Sequence, residues 1–348
     1  MLYRTANPHG GDIYDGRVEL DFSANTNPFG TPEGVKTAIS GALSDLHRYP
    51  DPYCRKLVSA ISNFEQVPED YILCGSGAAE LIYAYASAIH PKTACEPAPT
   101  FSEYALALKG LGCTPERYVL KREQEFSLTE DFISFLEDIK PEAVFLCNPN
   151  NPTGKCIPME LLQKILRYTK SQGIHLFVDE CFLDLTEGGE SLKGYLSDNP
   201  QLFILKAFTK SYGMAGVRLG YCLCGNRETL SNMARATQPW NVSSLAQAAG
   251  VAALKEGEFL EKTRELIFKE RRNLKAELEA LGFWVCDSRA NYLLFEGPRG
   301  LKEALLNRHI AIRSCSNYVG LSENYYRIAV RLPEENRILL DGIKDCLT

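Results

Sequence analysis

One short run, FTKSYGMAGVRLGY (208–221), holds a lysine and an arginine whose setting suits a ligand bearing both an aldehyde and a phosphate. Lys210 follows an apolar stretch and enters a loop of small residues; Arg218 lies eight positions on. An amine that forms a Schiff base needs a crowded, partly dry site that lowers its pKa. A nearby guanidinium offers a two-pronged clamp for a phosphate. Taken alone, a loop lysine and arginine read as readily as solvated surface. The residues elsewhere in the chain must decide.

Three other runs put polar groups at the ends of apolar stretches. CGSGAAEL (74–81) follows Ile72-Leu73 and opens a helix, AAELIYAYASAI. Gly75 and Gly77 let backbone approach a ligand, and the free N–H groups of a first helical turn suit a phosphate. A glycine turn of this kind also serves structure alone. NPNNPTG (148–154) places Asn151 before a proline, which restricts its backbone to extended geometry. HLFVDECF (175–182) ends an apolar run on Asp179, where a carboxylate is costly without a partner. A protonated pyridine nitrogen is one such partner; an N-cap role for Asp179 is the other.

The elements that must carry these residues read as α/β. AVFLC (143–147), HLFVD (175–179), LFIL (202–205) and LGYCLC (219–224) are short buried runs, with an amphipathic helix over 159–173 between the first two. Strand, helix, strand in this rhythm predicts a mostly parallel sheet sandwiched by helices. Ligands bind such sheets outside the carboxyl ends of the strands. The large α/β domain is expected over 46–237. A smaller α+β domain takes 1–45 and 238–348, with an irregular N-terminal arm, a long helical stretch from 243 to 281 weakly broken near Gly257, and strands at 290–295, 310–315 and 325–331.

Composition narrows the classes. The 348 residues carry a net charge of −6 with both signs mixed, so no basic block exists to bind nucleic acid or an anionic membrane. The N-terminal residues lack an apolar signal core and no run approaches membrane-spanning length, so a cytoplasmic protein is expected. The 12 cysteines are scattered without a C-x-x-C pair, which predicts reduced, mostly buried thiols and no metal site.

Glycine turn, Asn-Pro-Thr-Gly, strand-end aspartate, lysine and arginine, in that order, resemble the fold-type I pyridoxal-phosphate enzymes, the aspartate aminotransferase superfamily. The resemblance covers essentially the whole chain and implies pyridoxal 5′-phosphate as cofactor. It makes Lys210 the Schiff-base lysine and the proton carrier at the substrate's α-carbon. Asp179 pairs with the pyridine nitrogen and Asn151 with the ring hydroxyl. Arg218, Thr209 and the backbone of Gly77, Ala78 and Ala79 hold the phosphate. Phe101 stacks on the ring, with Tyr104 the alternative. Tyr49, in RYPDP, reaches the cofactor phosphate of a neighbouring subunit, which implies a homodimer with shared active sites. Two positions depart from the family pattern. Phe182 stands where many members have a tyrosine that bonds the ring hydroxyl, and Ala207 where many have a serine or threonine.

RYPDP and NPNNPTG are similar to the histidinol-phosphate aminotransferase branch. HGGD (9–12), DFSANTNPFG (21–30), RANYLLF (289–295) and IAIRSCSNYVGLSENYYRIAVR (310–331) more closely resemble the threonine-phosphate decarboxylases of cobalamin biosynthesis. That resemblance implies a small phosphorylated amino-acid substrate, L-threonine O-3-phosphate. Arg327 then binds the carboxylate, Arg313 and His9 the phosphate, and Asn25 lines the same pocket. Arg313 and Arg327 lie on apolar strands, where a guanidinium requires an anionic partner from ligand or protein. Only the substrate bond held perpendicular to the conjugated plane breaks. Decarboxylation and transamination therefore both stay open at the level of sequence. A non-catalytic regulator on the same fold is the third reading; such regulators usually carry a DNA-binding segment, and none precedes residue 20.

Overall fold

The computed structural model describes residues 9–347; the first eight residues of the arm assigned to 1–45 lie outside it. Seven strands form the central sheet. They are β1 Ile72–Gly75, β2 Ala94–Ala98, β3 Glu116–Val119, β4 Ala143–Cys147, β5 His175–Asp179, β6 Leu202–Ala207 and β7 Gly220–Cys224. Their order across the sheet is β1-β7-β6-β5-β4-β2-β3. The middle strands are apolar on both faces because helices cover both. Val144, Leu146, Leu176, Val178 and Ile204 enter one core layer. Their alternating neighbours Phe145, Phe177, Phe203 and Leu205 enter the other. The helix Met159–Gln172 packs Leu162 and Ile165 into the first layer. The helix Ala78–Ile89 packs Leu81 and Tyr85 into the second, with Tyr85 4.2 Å from Phe203 between ring centroids. This is the α/β sandwich that the strand–helix rhythm implies.

One strand runs against the rest. β7 is antiparallel to both β1 and β6, with Gly220 opposite Gly75 on one side and Ala207 on the other. A reversed strand starts where its neighbours end. The residues just before β7, Arg218 included, therefore arrive at the same sheet edge as the ends of β1, β4, β5 and β6.

Beyond that edge stands a four-stranded antiparallel sheet, built from β8 Trp284–Val285, β9 Tyr292–Glu296, β10 Arg313–Ser314 and β11 Tyr325–Ala329 in the order β10-β11-β9-β8. The long helix Gly257–Ala280 packs Leu274 and Leu278 against its inner face. The run 310–315, read from sequence as one strand, is two. Ile310–Ala311 pairs in parallel with Leu20–Asp21, and only Arg313–Ser314 pairs with β11. Phe22 causes the split. Its N–H donates to Ala311 O at 2.8 Å, and its carbonyl accepts from Ala329 N at 2.8 Å, so the N-terminal segment wedges between the two. The helical stretch 243–281 also divides, into Ser244–Ala253 and Gly257–Ala280. Among the described residues no helix is long and apolar enough to cross a membrane. The cysteines are free thiols, most of them buried.

The irregular N-terminal segment continues across the turn that carries Lys210. Asn27 Nδ2 donates to Ser211 O at 2.7 Å, and Thr31 Oγ1 to Gly213 O at 2.8 Å. Gly213 has φ +60°, and a Cβ there would stand 2.4 Å from Gly30 O. Gly173 has φ +68° but open space around it. Gly173→Ala should therefore lose only the left-handed backbone preference, about 1 kcal/mol of stability. Gly213→Ala should lose roughly 3 kcal/mol, because it adds a backbone clash. Urea unfolding of the two variants checks the difference; equal losses would mean that the segment yields.

Candidate functional site

A cavity of about 390 Å³ opens at the shared strand edge, between the central and the small sheet. Lys210, Asp179, Asn151 and Thr209 line it from the central sheet, with Ala78 and Ala79 at the start of the Ala78–Ile89 helix. Phe101 and Arg218 also line it. From the far side come His9, Asn25, Arg313 and Arg327. The polar residues singled out from sequence are thus brought together from distant parts of the chain. Tyr49 is not among them. It is 79 % exposed and stacks on Trp240 at 4.5 Å, beside a separate surface groove.

Lys210 sits on a single helical turn, Phe208–Ser211, at the end of β6. Its Nζ makes no hydrogen bond among the described residues and lies 5.5 Å from the centre of the Phe182 ring. Burial lowers its pKa to about 8, and the guanidinium of Arg327 and then that of Arg218 push the same way. Cys181 and Asp179 only partly oppose this.

Asp179 ends β5 and is 5 % exposed. Tyr104 donates its hydroxyl to Oδ2 at 2.6 Å, and the Cys181 N–H donates to Oδ1 at 2.9 Å. Burial raises the pKa of this carboxyl, and the hydrogen bonds from Cys181 and Tyr104 offset part of the rise. The result is a fixed acceptor that gains from a cationic N–H donor. Tyr104 is fully buried with its hydroxyl committed to Asp179, so of Phe101 and Tyr104 it is Phe101 that lines the cavity. Sequence reading missed this support for Asp179; the only available signal was a polar-tipped ring in the otherwise apolar run YALAL (104–108).

Arg327 lies on β11 and is 6 % exposed. Its partners are neutral. Nη1 donates to Asn151 Oδ1 at 2.6 Å and Nη2 to Ser23 O at 2.7 Å. The Asn25 amide, turned so that its oxygen faces the guanidinium, accepts from Nη1 and Nε at 3.2 Å each. No carboxylate pairs with Arg327 among the described residues. Arg313 stands directly opposite it across the β10–β11 pair. Its Nη2 donates to Asn317 Oδ1 at 2.6 Å, and its guanidinium lies 5.5 Å from the Tyr318 ring centre. Burial lowers the Arg313 pKa, and Arg327 contributes to the same shift. Like charges directly opposite on a sheet repel. A buried guanidinium with only neutral acceptors wants an anion. The guanidinium of Arg327 thus fits an anionic group of a ligand. Because Asn151 gives its oxygen to Arg327, its Nδ2 is left as a donor toward the cavity.

The opposite end of the cavity fits a phosphate. No side chain caps the Ala78–Ile89 helix, so the N–H groups of Ala78 and Ala79 have no acceptor among the described residues. The neighbouring Ser76 N–H is already taken, by Glu80 Oε2 at 2.6 Å. Gly77, at φ +85°, lets the Arg218 guanidinium close over this turn; a Cβ there would stand 2.5 Å from Nη2. Thr209 adds a hydroxyl, and Ala207 supplies none. At the cavity mouth, His9 Nε2 is 2.7 Å from Glu103 Oε1, and its ring leans on Phe101 at 5.8 Å.

The model of the family "Aminotransferase class I and II" matches residues 17–343. A threonine-phosphate decarboxylase from Salmonella typhimurium is 37 % identical over 98 % of this chain and 96 % of its own length. A histidinol-phosphate aminotransferase from Caldanaerobacter subterraneus subsp. tengcongensis is 33 % identical over 93 % of this chain and 92 % of its own. The crystal structure of the histidinol-phosphate aminotransferase from Clostridium acetobutylicum superposes with a TM-score of 0.88 at 29 % identity, covering 94 % of this chain and 98 % of that one.

The amine of Lys210 reacts only when neutral. With a pKa of about 8, about a tenth of it is neutral at pH 7, against roughly one part in three thousand for an ordinary lysine. Borohydride trapping of a small aldehyde on the apoprotein should therefore rise with pH to a plateau, half-complete near pH 8 at Lys210. A midpoint near that of surface lysines would contradict the desolvated site.

Proposed function

The chain belongs to the class I and II aminotransferase family, and on that premise we propose that it binds pyridoxal 5′-phosphate and decarboxylates L-threonine O-3-phosphate. The products are (R)-1-amino-2-propanol phosphate and CO₂. Arg327 carries the reading, as a buried guanidinium with no carboxylate partner among the described residues, opposite a second arginine, and the threonine-phosphate decarboxylase relative supports it.

Lys210 would hold the cofactor aldehyde, Asp179 its ring nitrogen, Asn151 its ring hydroxyl and Phe101 its face. Arg218, Thr209 and the Gly77–Ala79 turn would hold its phosphate. When bound, this cofactor supplies an electron sink for a carbanion at the substrate's α-carbon. Arg327 binds the substrate carboxylate, with Asn25 fixing the guanidinium. Arg313 and His9 take the substrate phosphate at the cavity mouth. Two separate anchors would fix the tilt of the substrate, and tilt would decide which bond at its α-carbon is placed to break. The lost carboxylate leaves its electron pair at that carbon, and Lys210 delivers the proton that replaces it. The walls around Lys210 and Phe182 keep the amine poorly solvated. A homodimer fits the exposed Tyr49–Trp240 stack, with Tyr49 reaching the partner's cofactor phosphate, in the cytoplasm. Histidinol-phosphate transamination is the second reading, favoured by the relatives of that name, and it uses the same lysine.

Incubation of the holoprotein with threonine phosphate and no 2-oxoglutarate should release one CO₂ per substrate consumed. Histidinol phosphate with 2-oxoglutarate should yield no glutamate. Arg327→Gln should lower kcat/KM roughly 100-fold or more while the protein still takes up the cofactor. Glutamate without CO₂ would move the assignment to the aminotransferase.

A further inference from the structure

The turn that carries Lys210 has little to hold it in place by itself. Phe208–Ser211 is a four-residue helix whose last link is Tyr212 N donating to Phe208 O at 3.2 Å. So short a helix is not self-supporting. The Lys210 amine has no hydrogen bond among the described residues, so its position is set by the backbone beneath it. The anchor must come from elsewhere.

On the face of β6 away from the cavity, Lys206 is buried at 4 % exposure. Its Nζ lies 3.1 Å from Asp184 Oδ1, 3.5 Å from Glu65 Oε1 and 3.9 Å from Glu180 Oε2. Burial works against its charge, but Asp184, Glu65 and Glu180 outweigh it and hold its pKa above the usual lysine value. Lys206 is thus a fixed cation one residue before Ala207. Glu65 is further engaged by Tyr221 and Lys193, away from the site. Asp184 differs from the other two carboxylates. Its Oδ2 accepts from the Ser211 hydroxyl at 3.0 Å, and Ser211 is fully buried and adjacent to Lys210. Its own carbonyl accepts from Arg264 Nε at 3.0 Å, which pins the Leu183–Leu185 turn to the long helix. That turn lies just beyond Asp179 and Phe182.

We propose that Asp184 is a positioning residue for Lys210. Its carboxylate, shared between Lys206 and the Ser211 hydroxyl, ties the end of the lysine turn, and the strand that leads into it, to the loop that follows Asp179. The two groups on which the proposed chemistry turns, the amine and the strand-end carboxylate, are thereby held in one frame that contacts neither ligand. The proposal rests on the reading of Lys210 as the Schiff-base lysine. Loss of the bridge frees the turn and lets the amine reach water, where it is charged and unreactive.

The test is capture of pyridoxal phosphate by the apoprotein, trapped with borohydride and mapped by peptide, from about pH 6 to about pH 10. It compares wild type, Asp184→Asn, Ser211→Ala and Glu65→Gln. In the wild type, trapping falls at Lys210 with a midpoint near pH 8. Asp184→Asn and Ser211→Ala should raise that midpoint and slow capture at pH 7 about fivefold to tenfold. Glu65→Gln, which disturbs the same cluster without touching the turn, should leave it where it is. If Asp184→Asn does not fold, Ser211→Ala decides, since it removes a single hydroxyl. Trapping at Lys210 with unmoved midpoints in Asp184→Asn and Ser211→Ala, or an equal shift in Glu65→Gln, overturns this proposal alone. Wild-type trapping at another lysine, or at none, overturns the assignment of Lys210 and this proposal with it.

Discussion

The guanidinium of Arg327 is the junction of the molecule. It belongs to the small sheet, donates to Asn151 from the loop after β4, and donates to Ser23 from the N-terminal segment. Three stretches far apart in sequence therefore meet on one buried cation. None of these acceptors carries a charge, so the cation keeps an unfilled demand for an anion at the bottom of the cavity. The same charge pushes down the pKa of Lys210. The structure thus joins, in one group, a place for an anion and part of the reason why a lysine amine has a lowered pKa.

The two ends of the cavity are built by different physics. At one end, helix N–H groups and Arg218 meet over a glycine, which suits a phosphate held close to backbone. At the other, two arginines face each other across an antiparallel pair. Between them stand Lys210, with its pKa lowered, and Asp179, with its pKa raised but its oxygens held by Tyr104 and Cys181. Burial acts on both, and disfavours charge on each. Pairs of groups whose environments work against their ordinary charge are a mark of sites built for proton transfer.

Much of this was legible in the sequence because the informative residues sit where apolar strands stop. Asp179, Asn151 and Lys210 each follow a buried run, and the parallel register sets those ends side by side. Arg218 joins them because β7 is reversed, which the apolar pattern of LGYCLC does not reveal. Contacts made by side-chain tips across long separations were not legible. The bond from Tyr104 to Asp179 and that from Asn27 to Ser211 leave no periodic trace, and neither does the bridge from Asp184 to Ser211. The division of 310–315 between two partners was hidden for a similar reason. It depends on where Phe22 inserts, not on the composition of the run. Tyr49 lies outside the cavity, exposed beside Trp240.

In the proposed reaction the substrate bond broken is the one to the carboxylate at Arg327, not the bond to the α-hydrogen. Threonine phosphate deuterated at the α-carbon tests this most directly, with mass spectrometry of the product. Decarboxylation gives one CO₂ for each amine formed and full retention of the α-deuterium. Loss of that deuterium with the carboxylate still in the product would contradict it, and would mean that the cavity aims the α-hydrogen instead.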